Sequence, residues 1–277
     1  MMNRIKRIVG LMLVTCLAHS LSAQTYHDVI EKAMTYTMQD SLVQAEQLFQ
    51  EALKMDPASA RNALLFSNLG TVQKRLGKID DAIKSYTMAL NITPYATSIL
   101  LNRAALYLDK GMNDKAYMDY CNVIDLVPEN IEARLFRAYI YMSRRQYDEA
   151  RVDYNVILGK DTKHKSARIG LVLLEQNLGK MTAAHNGLNL LIEDYPDDVS
   201  LLKMRANLQL DESFPSAALI DLETVSKLAP EDAENFCQMG MVYLRLQKKN
   251  EARKAFEKAI ALGVPRAQLQ EQLKACK

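Results

Sequence analysis

The chain has 277 residues, of which 49% are hydrophobic and 25% charged, with ten glycines and seven prolines. This composition excludes a disordered or collagen-like chain and indicates a well-packed protein. The formal net charge is +2, and beyond residue 23 the chain carries 32 basic and 33 acidic groups. Because this balance leaves no electrostatic footprint for nucleic acid, nucleic acid is not an expected partner.

The first 23 residues have the three-part layout of a secretory signal peptide. Three basic residues open the chain, an uncharged apolar stretch follows, and small residues precede Gln24. The apolar stretch is too short for a typical membrane-spanning helix. We therefore predict a signal peptide at residues 1–23, cleaved after Ala23, and an exported bacterial protein of the periplasm or cell envelope. Two alternatives stay open, namely a lipid anchor on Cys16 and retention of the segment as an uncleaved anchor.

An alanine recurs along the rest of the chain, and from its second occurrence onward the spacing is 34 residues. These ladder alanines are Ala45, Ala82, Ala116, Ala150, Ala184, Ala218 and Ala252. A fixed period of this length is typical of stacked helical repeats, in which each unit contacts only its neighbours. With the alanine counted as position 20, the array spans 24–266 and residues 60–62 are an insertion. Its repeats are 26–59, 63–96, 97–130, 131–164, 165–198, 199–232 and 233–266.

Each repeat reads as two helices joined by a turn. The alanine at position 20 and apolar residues at positions 24 and 27 form one stripe on the second helix. Position 15 marks the turn with Gly77, Gly111 and Gly179, as expected for a glycine that ends a helix. Five repeats have proline at position 32, where it ends the second helix because it lacks an amide donor. Pro215 fits the start of a second helix, which Ser213 could cap.

These positions resemble the pattern of the tetratricopeptide repeat family. The second repeat matches it with Phe66, Leu69, Gly70, Ala82, Tyr86, Ala89 and Pro94. The seventh repeat matches it with Phe236, Gly240, Tyr243, Ala252, Phe256 and Ala259. The resemblance implies an all-α fold, a right-handed α-α solenoid of about seven helix pairs. Residues 267–277, apolar at Leu269 and Leu273, are predicted to form a capping helix over the last repeat.

Three repeats share a charged pair within this pattern. Arginine occupies position 7 and aspartate position 23 in the same three repeats, and in no others. The pairs are Arg103 with Asp119, Arg137 with Asp153, and Arg205 with Asp221. We predict an ion pair between the two helices of a repeat or between adjacent repeats. The alternative is that the two residue types occur together in these repeats without contacting each other.

No pattern in the sequence indicates catalysis. The histidines have neither metal-ligand nor catalytic-triad spacing, and no phosphate-binding loop or hydrolase elbow occurs. Three cysteines lie beyond the leader, an odd number without short spacings, which favours packing thiols over disulfides or a zinc site. We therefore predict a protein that is not an enzyme and takes no cofactor or metal.

The resemblance also implies a binding surface, because first helices of such repeats commonly line a concave groove. The predicted groove residues are Leu101, Asn102, Leu135, Tyr139, Met142, Ile169, Leu173, Lys203 and Asn207. We predict a non-catalytic module that binds a protein or an extended peptide in this groove. The alternative is a membrane-associated scaffold subunit of a cell-envelope assembly, and some groove residues could instead pack between repeats.

One kind of partner is predicted not to bind. Family members that hold a chaperone tail by its terminal carboxylate need a set of lysine, asparagine and arginine residues on three first helices. Lys203 and Asn207 match the first pair, but Gln238 and then Gln268 and Gln272 follow where asparagine and cations are required.

Overall fold

The computed structural model describes residues 25–277, in which α-helices alternate with short turns and no residue lies in a β-strand. The predicted signal peptide, with Cys16, lies outside the described residues. The helices fall into two units. The first unit ends at Arg144 and the second spans Arg145–Lys277.

The part of the first unit that the structure describes contains seven helices, and consecutive helices pack against each other. They are α1 (25–38), α2 (Leu42–Met55), α3 (Asn62–Arg75), α4 (Ile79–Ile92), α5 (Thr97–Asp109), α6 (Asn113–Leu126) and α7 (Ile131–Ser143). One apolar cluster lies between α1, α2 and α3, and a second extends from α4 to α7. The first helices α3 and α5 thereby pack both against their own second helix and against the second helix of the preceding repeat.

The second unit repeats this arrangement and ends in a short C-terminal segment. Its helices are α8 (Tyr147–Lys160), α9 (Lys165–Asn177), α10 (Met181–Asp194), α11 (Val199–Asp211), α12 (Pro215–Leu228), α13 (Ala233–Arg245), α14 (Lys249–Ala261) and α15 (Gln270–Ala275). A 3-10 turn, Arg266–Leu269, precedes α15. Leu269 and Cys276 are buried against Phe256 and Ala259 of α14.

All seven ladder alanines are fully buried. The helix packed opposite contributes a second small residue. A Cβ on Gly70 would lie 2.9 Å from the ring of Tyr86, and one on Gly240 would lie 2.5 Å from the ring of Phe256. These glycines leave room for an aromatic ring at position 24, which is why that ring can be buried completely.

The fifth repeat, the one furthest from the family pattern, fills the same space in another way. Position 8 holds Val172 instead of glycine, and Leu188 replaces the aromatic ring at position 24. A Cβ on Gly187 would lie 2.7 Å from Val172 Cγ2. The bulk has therefore moved from the second helix to the first, which conserves volume in a close-packed interior.

The turn inside each repeat has one backbone conformation at position 15, where φ is positive in all seven repeats. The residues are Asp40, Gly77, Gly111, Arg145, Gly179, Ser213 and Gln247. The following amide donates back to the last turn of the first helix, as from Lys78 N to Gln73 O at 2.9 Å, which is the Schellman pattern of helix ends. The glycines predicted to mark these turns are confirmed.

Pro215 is the first residue of α12, as predicted. Proline is tolerated there because an amide N–H in the first turn would have no hydrogen-bond partner within the helix. The prediction that Ser213 caps this helix is wrong. Ser213 lies in the left-handed turn at φ 66°, and Phe214 precedes the helix without a side-chain cap.

Candidate functional site

The nine predicted groove residues all lie on first helices, five in the first unit and four in the second. They are Leu101 and Asn102 on α5, Leu135, Tyr139 and Met142 on α7, Ile169 and Leu173 on α9, and Lys203 and Asn207 on α11. Leu101 and Ile169 pack against the apolar clusters of their units. Tyr139 and Leu173 are the large apolar members that stay exposed, by 58% and 38%.

Of the two polar members on α11, one contacts the residue that caps the next first helix and the other contacts that helix itself. Lys203 Nζ lies 2.5 Å from Asp232 Oδ2, and Asp232 also accepts from the amide of Asn235 at the start of α13. Asn207 accepts a hydrogen bond from Gln238 of α13. These contacts occupy both side chains. Lys203 pairs with the last residue of its own repeat, and Asn207 joins its repeat to the next one.

The exposed apolar residues of the first helices recur at one repeat position. Position 9 holds Met34, Tyr139, Leu173 and Met241 in four repeats, exposed by 46%, 58%, 38% and 44%. Met34 and Met241 are absent from the predicted groove set, although they stand at the same repeat position as Tyr139 and Leu173. The same helix face thus presents large apolar side chains to solvent in both units.

A small pocket opens on that face of the first two repeats, between α1, α2 and α3. Its volume is about 140 Å³, and its lining is mainly apolar. The lining residues are Met34, Thr37, Met38, Phe49, Asn68 and Thr71. Thr71 Oγ1 lies 3.0 Å from the buried Tyr86 hydroxyl. This hydrogen bond orients the polar edge of the pocket. Burial raises the pKa of Tyr86, so this phenol stays protonated at neutral pH.

Arginine and aspartate form the predicted ion pair in two repeats. Arg103 Nε and Nη2 each donate to Asp119 at 2.8 Å. Arg205 Nε and Nη2 donate to Asp221 at 2.8 and 2.7 Å. Both pairs join the two helices of one repeat, which confirms the prediction for them. The third pair, Arg137 with Asp153, would connect the two units and stays a prediction.

The three arginines also reach the second helix of the preceding repeat, always at position 25. Arg103 Nη1 donates to Thr87 Oγ1 at 3.1 Å, and Arg205 Nη1 donates to Asn189 Oδ1 at 2.8 Å. Arg137 Nη1 lies 3.6 Å from Cys121 Sγ. In the third and sixth repeats a single guanidinium therefore connects three successive helices, a use that suits its planar fork of donors.

Chemistry-bearing side chains do not assemble into a reactive centre in residues 25–277. No group of three or more His, Cys, Asp and Glu residues is placed to hold a metal ion in this part of the chain. Within the same range, none of the helices has the length and apolar character needed to span a bilayer. His185 of α10 pairs with Glu212, which directly follows α11.

The comparison with known proteins agrees with this architecture. Residues 233–262 match the model of the tetratricopeptide repeat. A tetratricopeptide repeat protein from Parabacteroides merdae, solved as a crystal structure, is 33% identical, with a TM-score of 0.72 over 91% of this chain and 99% of that chain. The chain belongs to the tetratricopeptide repeat family. The predicted fold class, an all-α solenoid of tetratricopeptide helix pairs, is thereby confirmed.

Other similarities of this tetratricopeptide repeat protein are more distant or shorter. The APC/C hetero-tetramer Cut9–Hcn1 contains a chain with a TM-score of 0.56 and 15% identity, over 90% of this chain and 55% of that one. The human protein DnaJ homolog subfamily C member 7 is 41% identical over 66 residues, and the mouse protein of that name is 38% identical over the same length. The match spans 24% of this chain and 13% of each curated relative.

Proposed function

We propose that this chain is a non-catalytic interaction module that binds a protein or an extended peptide along the groove face of its first helices. The family is one of protein-interaction scaffolds, and the residues of this chain supply a surface with the matching chemistry. Packed helices hold the contact side chains before the partner arrives, which lowers the entropy lost on binding.

The observation that carries the proposal is the recurrence of exposed apolar side chains at position 9. Tyr139 is the most exposed of them, and a tyrosine on a rigid helix is a frequent anchor of protein interfaces. Met34 and Met38 border the small apolar pocket, where methionine can adapt to differently shaped side chains. We propose that these positions contact apolar residues of the partner.

We also propose that the protein acts outside the cytoplasm, in the periplasm or cell envelope. The support is the signal-peptide layout of the first 23 residues. Intact-mass measurement of protein recovered from a bacterial envelope fraction tests this proposal. Mature protein starting at Gln24 supports export with cleavage, whereas full-length protein in the cytoplasm contradicts it and lipid on Cys16 favours an anchored form.

A second candidate function, a scaffold subunit that uses its second helices, has its own supporting observation. Met118, Val152 and Ile220 all stand at position 22 of second helices and are exposed by 59%, 59% and 66%. Such residues make a contact surface separate from the groove face. The two candidates therefore predict that different substitutions release the partner.

Affinity capture from envelope extracts separates the two candidates. The baits are wild type, the groove variant Tyr139→Ala/Leu173→Ala, and the second-helix variant Met118→Ala/Ile220→Ala. Each variant changes one residue in each unit. We expect partners that wild type and the second-helix variant recover and that the groove variant loses. Loss by the second-helix variant alone would favour the scaffold, and equal recovery by all three baits would contradict groove binding.

A further inference from the structure

The near-neutral charge of the whole chain conceals an uneven distribution along it. Residues 245–277 contain nine Lys and Arg residues against three Asp and Glu residues. Residues 24–244 contain 23 basic against 30 acidic residues. The last second helix and the segment after it therefore form a strongly basic end on an otherwise acidic chain.

The structure concentrates part of this charge around one cleft, which we name the C-terminal cleft. It lies between α14, the 3-10 turn and α15, and its volume is about 510 Å³. Its lining includes Arg253, Arg266, Ala267, Leu273, Lys274 and Lys277. No acidic residue lines it, and the four cations are all exposed to solvent.

Two of the cations are positioned by carboxylates just outside the cleft. Arg266 donates to both oxygens of Glu257, at 2.9 and 3.1 Å, and Lys274 donates to Glu271 at 2.8 Å. Arg253 has no ion-pair partner within residues 25–277. Among the side chains, four cations against two carboxylates leave a net positive charge at the cleft, and Leu273 and Ala267 make part of its lining apolar.

We propose that the C-terminal cleft binds an acidic, extended segment of a partner protein. Carboxylates of the segment would pair with Arg253 and Lys274, while an apolar side chain between them would contact Leu273. The concave form favours a protruding chain over a flat membrane surface, because a bilayer cannot enter a recess between two helices. This surface is distinct from the groove face of the first helices, so it adds a second point of contact to the proposed interaction module.

Fluorescence anisotropy with a labelled, glutamate-rich peptide containing leucine tests the proposal on the protein that starts at Gln24. The cleft variant is Arg253→Glu/Lys274→Glu. The matched control, Lys54→Glu/Lys74→Glu, makes the same change in net charge at two exposed lysines of the first unit. A neutral variant, Arg253→Gln/Lys274→Gln, is measured as well, and circular dichroism establishes that all variants are folded.

We expect saturable binding by wild type that weakens as salt is raised, since ion pairs at a solvated cleft are screened. The cleft variant should bind about tenfold more weakly or worse, the neutral variant should fall between, and the control should stay within about twofold of wild type. Equal losses in the cleft variant and the control would overturn the proposal, because only net charge would then matter. The proposal would also be overturned if wild type did not bind the peptide. This holds whether the protein instead binds anionic phosphatidylglycerol vesicles or self-associates in low salt through its own acidic segments.

Discussion

Arg103 and Asp119 form a two-point ion pair between the helices of the third repeat, with both nitrogen–oxygen distances at 2.8 Å. The aspartate side chain is 4% exposed and that of the arginine 17%. Arg103 also donates to Thr87 of the preceding repeat. The pair therefore bridges two repeats, at a position where the family pattern usually has leucine.

Removal of the carboxylate should be costly, because the arginine would stay largely buried without its counter-charge. We expect Asp119→Ala to lower the free energy of unfolding by about 3 kcal/mol, measured by urea denaturation. The exposed pair of Asp114 with Arg144, at 2.5 Å, provides the control, since the Asp114 side chain is 97% exposed. Asp114→Ala should cost less than about 1 kcal/mol, and equal effects of the two substitutions would show that the buried pair has no special role.

A comparison of two glycines tests the close approach of first and second helices. A Cβ at Gly240 would stand 2.5 Å from the buried ring of Phe256, whereas one at Gly159 of α8 would have nothing within 4 Å. We expect Gly240→Ala to destabilise the protein by about 1–3 kcal/mol. Gly159→Ala should stabilise it by about 0.5–1 kcal/mol, because alanine loses less backbone entropy in a helix. Thermal unfolding of both variants would refute the packing explanation if the two midpoints moved in the same direction.

The left-handed residue in each turn predicts a stabilising substitution. Gln247 has φ 57° in the last repeat, a conformation that costs a residue with a side chain about 1 kcal/mol or more and costs glycine little. Gln247→Gly should raise the free energy of unfolding by about 0.5–1 kcal/mol. Gln247→Ala keeps the unfavourable Cβ and should bring no gain, so a gain with alanine would assign the effect to loss of the long side chain.

Lys165 and Asp198 predict a pH-dependent contribution to stability. The hydrogen bond and charge of Lys165 hold the pKa of Asp198 below its ordinary 3.8, against the opposing effect of burial. A carboxyl group whose pKa is lowered on folding stabilises the fold at pH values above its ordinary pKa. This stabilisation is lost as the pH falls through the folded-state pKa.

Asp198→Asn tests this contribution, because asparagine keeps the cap that Asp198 provides to the Leu201 amide but removes the charge. We expect the variant to be about 0.5–1 kcal/mol less stable than wild type at neutral pH. The difference should shrink as the pH is lowered below 3.8. A difference that persists unchanged in acid would assign the loss to the cap and not to the ion pair.

The sequence period was sufficient to predict which residues form the interior, because a repeat places one residue type in one environment again and again. The ladder alanines and the residues at position 24 are buried accordingly. The period could not predict the left-handed turns at Asp40 and Gln247, since stacking imposes this backbone on residues that do not favour it. It also could not predict that Val172 compensates for Gly187, which requires the distance between two helices.

The binding surfaces were less predictable than the interior. The predicted groove set contains Tyr139 and Leu173, which are exposed, but it also contains Lys203 and Asn207, which contact Asp232 and Gln238. The set does not contain Met34, which stands at the same repeat position as Tyr139 and Leu173. The net charge of the chain does not reveal the basic cleft around Arg253, because the opposite charges of the two parts of the chain cancel.

The most direct test of the account is the affinity of a captured partner for the groove variant, measured with purified proteins by calorimetry. We expect Tyr139→Ala/Leu173→Ala to raise the dissociation constant about tenfold or more, which corresponds to about 1.4 kcal/mol, as loss of an aromatic anchor would. Met118→Ala/Ile220→Ala should leave it within about twofold. An unchanged dissociation constant for the groove variant, with the heat of binding intact, would contradict groove recognition.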